Sequence, residues 1–283
     1  MAITLGLAAR MGVVLAIISS FYIALYLGLT RIAPVPDIWI AGFIGGILAI
    51  QVLTSSFLFL RSVNSEKVNR EEVPWLFDIV EEVCENSGVR TPTIRVIDTQ
   101  VPNAFATGIT QRTATVCVTT GLIHLLDPDE MQAVIAHEIA HIKNRDMIIM
   151  TIASFPAIIA FKFYAMAHSI HPNHRGLEAQ VLLVVSYTFW VFSMITSSSL
   201  SRYREYIADY DATKYIDNPE DMTAALEKVT YGVQKTSWYT DGSHGEDELN
   251  MLFVVPLSGS ATKYFSTHPD TDSRVDRIKE LYS

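Results

Sequence analysis

The chain has 283 residues, of which 49% are hydrophobic and only 18% are charged. Soluble globular domains carry about a quarter charged residues, so this composition argues against a soluble enzyme and favours a membrane protein. The formal net charge of −9 argues against nucleic acid as a partner, because binding of phosphates needs clustered lysine and arginine.

Four long apolar segments could each cross a bilayer, whose hydrocarbon core of about 30 Å needs roughly 20 helical residues. They form two pairs, Met11–Thr30 with Ile38–Leu60, and Met147–His168 with Ala179–Leu200. The first segment lacks a small-residue cleavage site and is closely followed by the second, so we interpret it as a retained anchor. The sequence therefore predicts a multi-pass membrane protein.

Positive charges flank these four segments unequally, which predicts their orientation. One side of the four-span arrangement carries Arg10, Arg61, Lys67, Arg70, Lys143, Arg145, Arg202 and Arg204. The other side carries Arg31 and Arg175, with Lys162 close by. By the positive-inside rule, both termini and both large loops are expected in the cytoplasm, beneath an inner or plasma membrane.

This topology predicts four parts of the chain. Residues 1–61 form a two-span N-terminal anchor, and residues 147–200 form a transmembrane hairpin. Residues 62–146 and 201–283 together form one cytoplasmic domain, which the hairpin splits in two. We expect an α+β domain that is mainly helical and carries a small β-sheet.

The first half of this domain contains recognisable helices and strands. Glu71–Ser87 places apolar residues on one helical face, and Thr93–Asp98 and Thr113–Thr119 alternate as strands do. Asp127–Arg145 begins with an aspartate, then a proline and, two residues after that, a glutamate, which are the signals of a helix start. The last of these elements is the one that carries chemistry.

The string His137-Glu138-Ile139-Ala140-His141 lies inside this predicted helix. Residues four apart share a helical face, so both imidazoles can reach one ion at the zinc–nitrogen distance of about 2.0–2.1 Å. Glu138 lies beside that face, where a general base could take a proton from an attacking water. The pattern predicts a zinc metalloendopeptidase, a hydrolase that uses one Zn²⁺.

A catalytic zinc needs a third protein ligand, and the predicted topology indicates where it lies. The helix with the two histidines runs towards the third span, and the fourth span returns the chain to the same side of the membrane. Glu205 follows this return and is the candidate third ligand. Asp209 lies one turn later on the same face, where it could accept the free N–H of a zinc-binding histidine.

In these motifs the chain resembles the HtpX-type membrane zinc metalloproteases, which are related to the CAAX prenyl proteases. The resemblance covers nearly the whole chain. It includes the two-span N-terminus, the His-Glu-x-x-His helix, the membrane hairpin and Arg204-Glu205-Tyr206-x-Ala208-Asp209. It implies a zincin-like domain with Glu205 as the third zinc ligand and Asp209 as its support.

The resemblance also extends to the C-terminal part of the chain. It implies that His268 and Arg274, six residues apart, face the scissile bond and stabilise the tetrahedral intermediate. It places an edge strand for an extended substrate at Asn103-Ala104-Phe105-Ala106. The implied role is proteolytic quality control, in which membrane or misfolded proteins are cut on the cytoplasmic side.

One expectation about the site does not depend on the resemblance to a family. Only about six residues, roughly 9 Å of helix, separate His141 from the third span, so the metal should lie close to the membrane surface. Three alternatives remain open: a CAAX-type prenyl-protein protease, a non-catalytic membrane scaffold that retains the motifs, and a metal transporter that uses His137 and His141. The sequence leaves the oligomeric state and the physiological substrates open.

Overall fold

The structure is a computed structural model that describes residues 36–169, 176–239 and 271–282, together with 12–13, 16–20, 22–23 and 26–27. His268 and nine of the 20 residues of the predicted first span, Met11–Thr30, lie outside the described residues. Within them the protein is mainly helical, with one small sheet, as the composition and periodicity predicted.

The elements follow one another along the chain in a mixed order of helices and short strands. In sequence they are α1 Asp37–Ser62, β1 Glu66–Lys67, α2 Pro74–Ser87, β2 Thr93–Ile97, β3 Ala104–Thr107, β4 Thr115–Thr119, α3 Thr120–Leu125, α4 Pro128–Asn144, α5 Asp146–Ser169, α6 Leu177–Ala212, α7 Pro219–Tyr239 and α8 Thr271–Tyr282.

The chain divides into two compact units, which are described separately. The first, here called the apolar unit, comprises Met1–Val52, Ile149–Tyr203 and Gly259–Thr267. The second, here called the sheet unit, comprises Leu53–Ile148, Arg204–Ser258 and His268–Ser283.

The apolar unit contains most of the long apolar helices. Among the residues that the structure describes, two helices are long and apolar enough to cross a membrane, α5 and the segment Ala179–Ala212 of α6. Within α1, the described residues give a shorter apolar helix, Gly45–Thr54. Large apolar side chains on these helices face outward, including Trp39 and Val184, which are 71% and 61% exposed. Exposure of such an apolar surface is unfavourable in water and favourable in contact with lipid tails.

The last predicted span, Ala179–Leu200, contains several serines whose hydroxyls bond within the helix. Ser186 donates to the carbonyl of Leu182 at 2.6 Å, and Ser197 donates to the carbonyl of Ser193 at 2.8 Å. Each hydroxyl is thus satisfied by a carbonyl one turn earlier in its own helix. The serines of α6 therefore need no water and do not argue against a membrane helix.

The sheet unit is built around four strands in the order β1-β2-β4-β3. Strands β2 and β4 are parallel, and β3 runs antiparallel to β4 with Ala104 opposite Val118. All five residues of β4 are buried, so its two faces do not differ in burial as the predicted alternation implied. Among the strands of the described residues, β3 lies at one edge of the sheet.

Helix α2 packs its apolar face into the core of this unit, as its periodicity predicted. Leu76, Val80 and Val83 are fully buried, and Gly88 ends the helix in the left-handed conformation with φ 69°. The predicted start at Glu71 is wrong, because the helix begins at Pro74. Proline disfavours helical geometry in the residue before it, so residues 71–73 form a turn.

Helix α4 is defined at both ends by its own residues. The Asp127 side chain accepts a hydrogen bond from the backbone N–H of Glu130, and the Glu130 carboxylate accepts one from that of Asp127. This capping box satisfies two free donors at the helix start. Arg145 ends the helix with a positive φ of 56°, so the chain turns sharply at this residue.

Candidate active site

Three side chains from two helices converge within the sheet unit. His137 and His141 lie one turn apart on α4, with their Nε2 atoms 3.0 Å from each other. Glu205 of α6 places Oε2 3.5 Å from Nε2 of His137 and Oε1 3.5 Å from Nε2 of His141. Among the residues that the structure describes, they form the group of histidines and acids that could hold a metal ion.

The geometry of these three groups fits zinc. Neighbouring ligands of a tetrahedral zinc lie about 3.3 Å apart, given bonds of about 2.0–2.1 Å, and the three separations here are 3.0, 3.5 and 3.5 Å. Each imidazole turns its Nδ1 towards a carboxylate, which favours a proton on Nδ1 and a lone pair on Nε2. Two lone pairs and a carboxylate that face one point suit a cation.

His137 is held by an aspartate from α6 and an arginine from α8. Its Nδ1 lies 2.9 Å from Oδ1 of Asp209. Arg274 donates to both oxygens of the same carboxylate, from Nε at 2.8 Å and from Nη2 at 2.6 Å. All three side chains are buried. The structure therefore brings Asp209 to the position beside a histidine that the sequence predicted for it.

Arg274 contacts the ligand set as well as Asp209. Its Nη1 lies 3.6 Å from Oε2 of Glu205, and its Nη2 lies 3.4 Å from Nδ1 of His137. The structure thus places Arg274 beside the candidate ligands, with two of its three nitrogens bonded to Asp209. The other residue of the predicted pair, His268, lies outside the described residues.

His141 is held by a second aspartate, which the sequence analysis missed. Its Nδ1 lies 2.7 Å from Oδ2 of Asp146, the first residue of α5. The other oxygen of Asp146 forms an ion pair with Arg204 of α6. Asp146 could have been noticed as an acid just beyond the helix end. Its direction depends on the turn at Arg145, which no periodic pattern signals.

The buried charges of the site shift one another's pKa values. Burial lowers the pKa of His137, but hydrogen bonds to Asp209 and Glu205 outweigh it and leave the pKa raised. Burial likewise lowers the pKa of His141, but the interactions with Glu205 outweigh this effect and leave the pKa raised.

Asp209 lies outside the predicted fourth span, which ends at Leu200. Burial raises its pKa, yet the positive charge of Arg274 outweighs this and brings the pKa to about 2.

Glu138 lies between the two histidines in sequence and is 8% exposed. Its negative charge contributes to raising the pKa of His141 and of Arg274, so it lies within electrostatic range of both. A carboxylate in this position can act on a water molecule close to the metal ligands. The structure therefore places Glu138 in the same cluster as the residues predicted to bind zinc.

The predicted substrate segment, residues 103–106, lies at the edge of the sheet. Asn103 precedes β3, and its backbone N–H donates to the hydroxyl of Thr119 at 2.8 Å. Ala104 to Ala106 belong to β3, which pairs with β4 on one side and packs against α4. This edge strand and the helix with the two histidines are therefore neighbours in the sheet unit.

The chain is similar in sequence to known proteins. The model of "Peptidase family M48" matches residues 70–282. A protein named "Protease HtpX homolog 2" from Methanosarcina acetivorans is 33% identical over 98% of this chain and 96% of its own length. The "Protease HtpX homolog" of Persephonella marina is 35% identical over 80% of this chain and 81% of its own.

A solved structure shares the fold. The crystal structure of S. mikatae Ste24p matches with a TM-score of 0.54 at 18% identity, covering 92% of this chain. The match covers 62% of that chain, so the present protein spans less than two thirds of its length. At this identity the likeness concerns the fold alone.

Proposed function

The chain belongs to peptidase family M48 and is a membrane metalloprotease, and we propose from this premise that it is a zinc-dependent endopeptidase with one catalytic Zn²⁺. His137, His141 and Glu205 would hold the ion. The observation that carries this proposal is the convergence of two imidazole nitrogens and one carboxylate at the spacing of zinc ligands.

The proposed mechanism assigns a separate task to each group. When bound, zinc would supply Lewis acidity to the peptide carbonyl and to the attacking water. Glu138 takes the proton from that water and later delivers it to the leaving amine. Asp209 holds the imidazole of His137 in the orientation that leaves Nε2 free to bind. Arg274 keeps Asp209 charged and fixed.

His268 and Arg274 are proposed to stabilise the oxyanion of the tetrahedral intermediate. For Arg274, the supporting observation is that its Nη1 points towards the metal ligands, 3.6 Å from Glu205. For His268, the support is the resemblance of the sequence to the family. Removal of either donor would lower kcat more than it raises KM, because the contact exists only in the transition state.

The substrates of this enzyme are proteins or peptides, as its family implies. We propose that an extended segment of substrate adds to the edge strand β3 through backbone hydrogen bonds, at residues 103–106. The preferred substrates would be membrane proteins or misfolded chains, because the metal ligands lie close in sequence to apolar helices. The resemblance to the HtpX-type proteases implies a role in quality control.

The membrane topology is also a proposal. We propose four spans with residues 1–61 as an anchor and 147–200 as a hairpin, and a protease domain formed by residues 62–146 and 201–283. Both halves of that domain would lie in the cytoplasm. The support is the unequal distribution of positive charge around the apolar segments, together with two helices long enough to cross a bilayer.

The proposal predicts that Glu138→Gln abolishes cleavage without loss of metal. A loosely folded test protein would be incubated with wild type and with Glu138→Gln in detergent, each with and without a zinc chelator. Among these four samples we expect full turnover only in untreated wild type, and turnover lowered by at least about 10²-fold in the variant. Glu220→Gln, which changes an exposed carboxylate on α7, is the matched control. Equal cleavage in all samples would overturn the assignment.

A further inference from the structure

The two histidines of the site are supported by two separate sets of residues that have the same composition. Each imidazole Nδ1 meets one aspartate, at 2.9 Å for His137 and at 2.7 Å for His141. Each aspartate in turn meets one arginine, Arg274 in the first set and Arg204 in the second. The sequence predicted Asp209 as the support of a histidine, whereas its pairing with Arg274 and the whole second set follow from the structure.

The second set is buried as completely as the first. Asp146 is 5% exposed and Arg204 is 8% exposed. An aspartate is expensive to bury unless it is paired and hydrogen-bonded. Here one carboxylate oxygen contacts the imidazole and the other forms an ion pair with the guanidinium. A buried carboxylate that divides its oxygens in this way fixes the orientation of the ring it contacts.

The backbone turn after α4 directs Asp146 to this position. Arg145 has φ 56°, and its N–H donates to the carbonyls of His141 and Ile142. Residues other than glycine seldom adopt this left-handed conformation. The reversal brings the residue after Arg145 back towards the last turn of α4, where His141 lies. If α4 continued as a regular helix through Arg145, Asp146 would point away from His141.

Arg204 connects this turn to the helix that carries the third candidate ligand. Its guanidinium pairs with Asp146 and also donates to the carbonyl of Asn144 at 3.2 Å. Arg204 immediately precedes Glu205 in α6. Arg204 thus binds both the C-terminal end of α4 and the aspartate that contacts His141. Its neighbour Glu205 is the residue that approaches both histidines.

We propose that Asp146 and Arg204 are positioning residues for the metal site, which orient His141 and hold Glu205 at its distance from the two imidazoles. This inference rests on the proposed metal ligands and extends them. Loss of a carboxylate that supports a ligating histidine lowers metal affinity by about 10–100-fold. Asp146 and Asp209 would act independently, since they support different rings.

The test measures zinc affinity, which does not depend on turnover. Full-length wild type, Asp146→Asn, Arg204→Gln, Arg204→Lys and Asp209→Asn would be titrated in detergent against a competing chelator. We expect a zinc Kd about 10–100-fold weaker in Asp146→Asn and in Asp209→Asn. Arg204→Gln should weaken binding, and Arg204→Lys should recover part of the loss because it retains a positive charge.

Asp211→Asn is the matched control for a purely structural effect. Asp211 lies on α6, as Arg204 does, and its carboxylate accepts hydrogen bonds from Asn144 at 3.0 Å and from Lys214 at 2.7 Å rather than from an imidazole. Its variant should bind zinc as wild type does. If Asp211→Asn weakened binding as much as Asp146→Asn, the positioning role would be overturned.

A spectroscopic readout separates the two sets. In zinc-loaded protein, an imidazole Nδ1 proton that is bonded to a carboxylate gives a proton resonance far downfield of the amides. We expect Asp146→Asn to remove one such signal and Asp209→Asn to remove another. If Asp146→Asn left both the zinc Kd and the downfield signals unchanged, the positioning role would be overturned but the proposed ligands would stand. If wild type did not bind zinc, the proposed ligands would be overturned as well.

Discussion

The serine hydroxyls of α6 in the apolar unit and the buried charges of the sheet unit are satisfied in different ways. In the apolar unit, hydroxyls such as that of Ser197 bond to a carbonyl in the same helix, within one turn. In the sheet unit, buried charges bond across long stretches of sequence, as Arg274 does with Asp209. Removal of such a hydroxyl leaves no other polar group without a partner. Removal of one member of a buried ion pair leaves the other charge buried without its partner. Substitutions in the two units should therefore differ greatly in effect.

The largest effect on stability is expected when one partner of a buried pair is removed. Arg274→Met leaves the Asp209 carboxylate buried without its guanidinium, which should lower the free energy of unfolding by about 3–5 kcal/mol. The double variant Arg274→Met/Asp209→Asn should recover part of this loss. Thermal or denaturant unfolding in detergent, with a chelator present, measures both. A double variant less stable than Arg274→Met would contradict the pairing.

An intermediate effect is expected from pH. The pKa of Asp209 is lowered from 3.8 to about 2, so the folded protein binds this proton more weakly than the unfolded chain. The stabilisation is present above the unfolded pKa and is lost as the pH falls from about 4 to about 2, by about 2 kcal/mol. Unfolding at several pH values, without metal, should show a steeper decline in wild type than in Asp209→Asn. Parallel declines would show that Asp209 is not the group responsible.

The smallest effect is expected in the apolar unit. Ser197→Ala removes a hydroxyl whose partner is the carbonyl of Ser193 in the same helix. That carbonyl keeps the hydrogen bond of the helix, so the stability should change by less than about 0.5 kcal/mol. The measurement is the melting temperature in the same detergent as the variants of the sheet unit. A loss comparable to that of Arg274→Met would remove the distinction between the two units.

The parts of the site that lie on one regular helix could be predicted from the sequence. The four-residue spacing placed His137 and His141 on one face of α4, and the capping signals located the start of that helix at Asp127. The placement of Glu205 required the further assumption that two spans return the chain to the same side. Asp209 then followed from its position one turn after Glu205.

The parts that depend on an irregular backbone could not be predicted. Asp146 reaches His141 through a left-handed turn at Arg145, and that conformation carries no sequence signal when the residue is not glycine. The partner of Asp146, Arg204, lies far along the chain, and its charge was interpreted as a marker of membrane orientation. The sequence analysis missed the two-residue strand β1 and the start of α2. Each follows a short turn, and the sequence pattern did not indicate where that turn ends.

The most direct test of the account is the coordination of the metal itself. Zinc content and zinc K-edge absorption would be measured on wild type, His137→Ala and Glu205→Ala, each purified in detergent, with Glu220→Ala as control. The account predicts one zinc per chain in wild type and control, with two imidazoles and a carboxylate oxygen among its ligands. It also predicts loss or weakening of binding in the other two variants. Full zinc content with unchanged coordination in Glu205→Ala would contradict it.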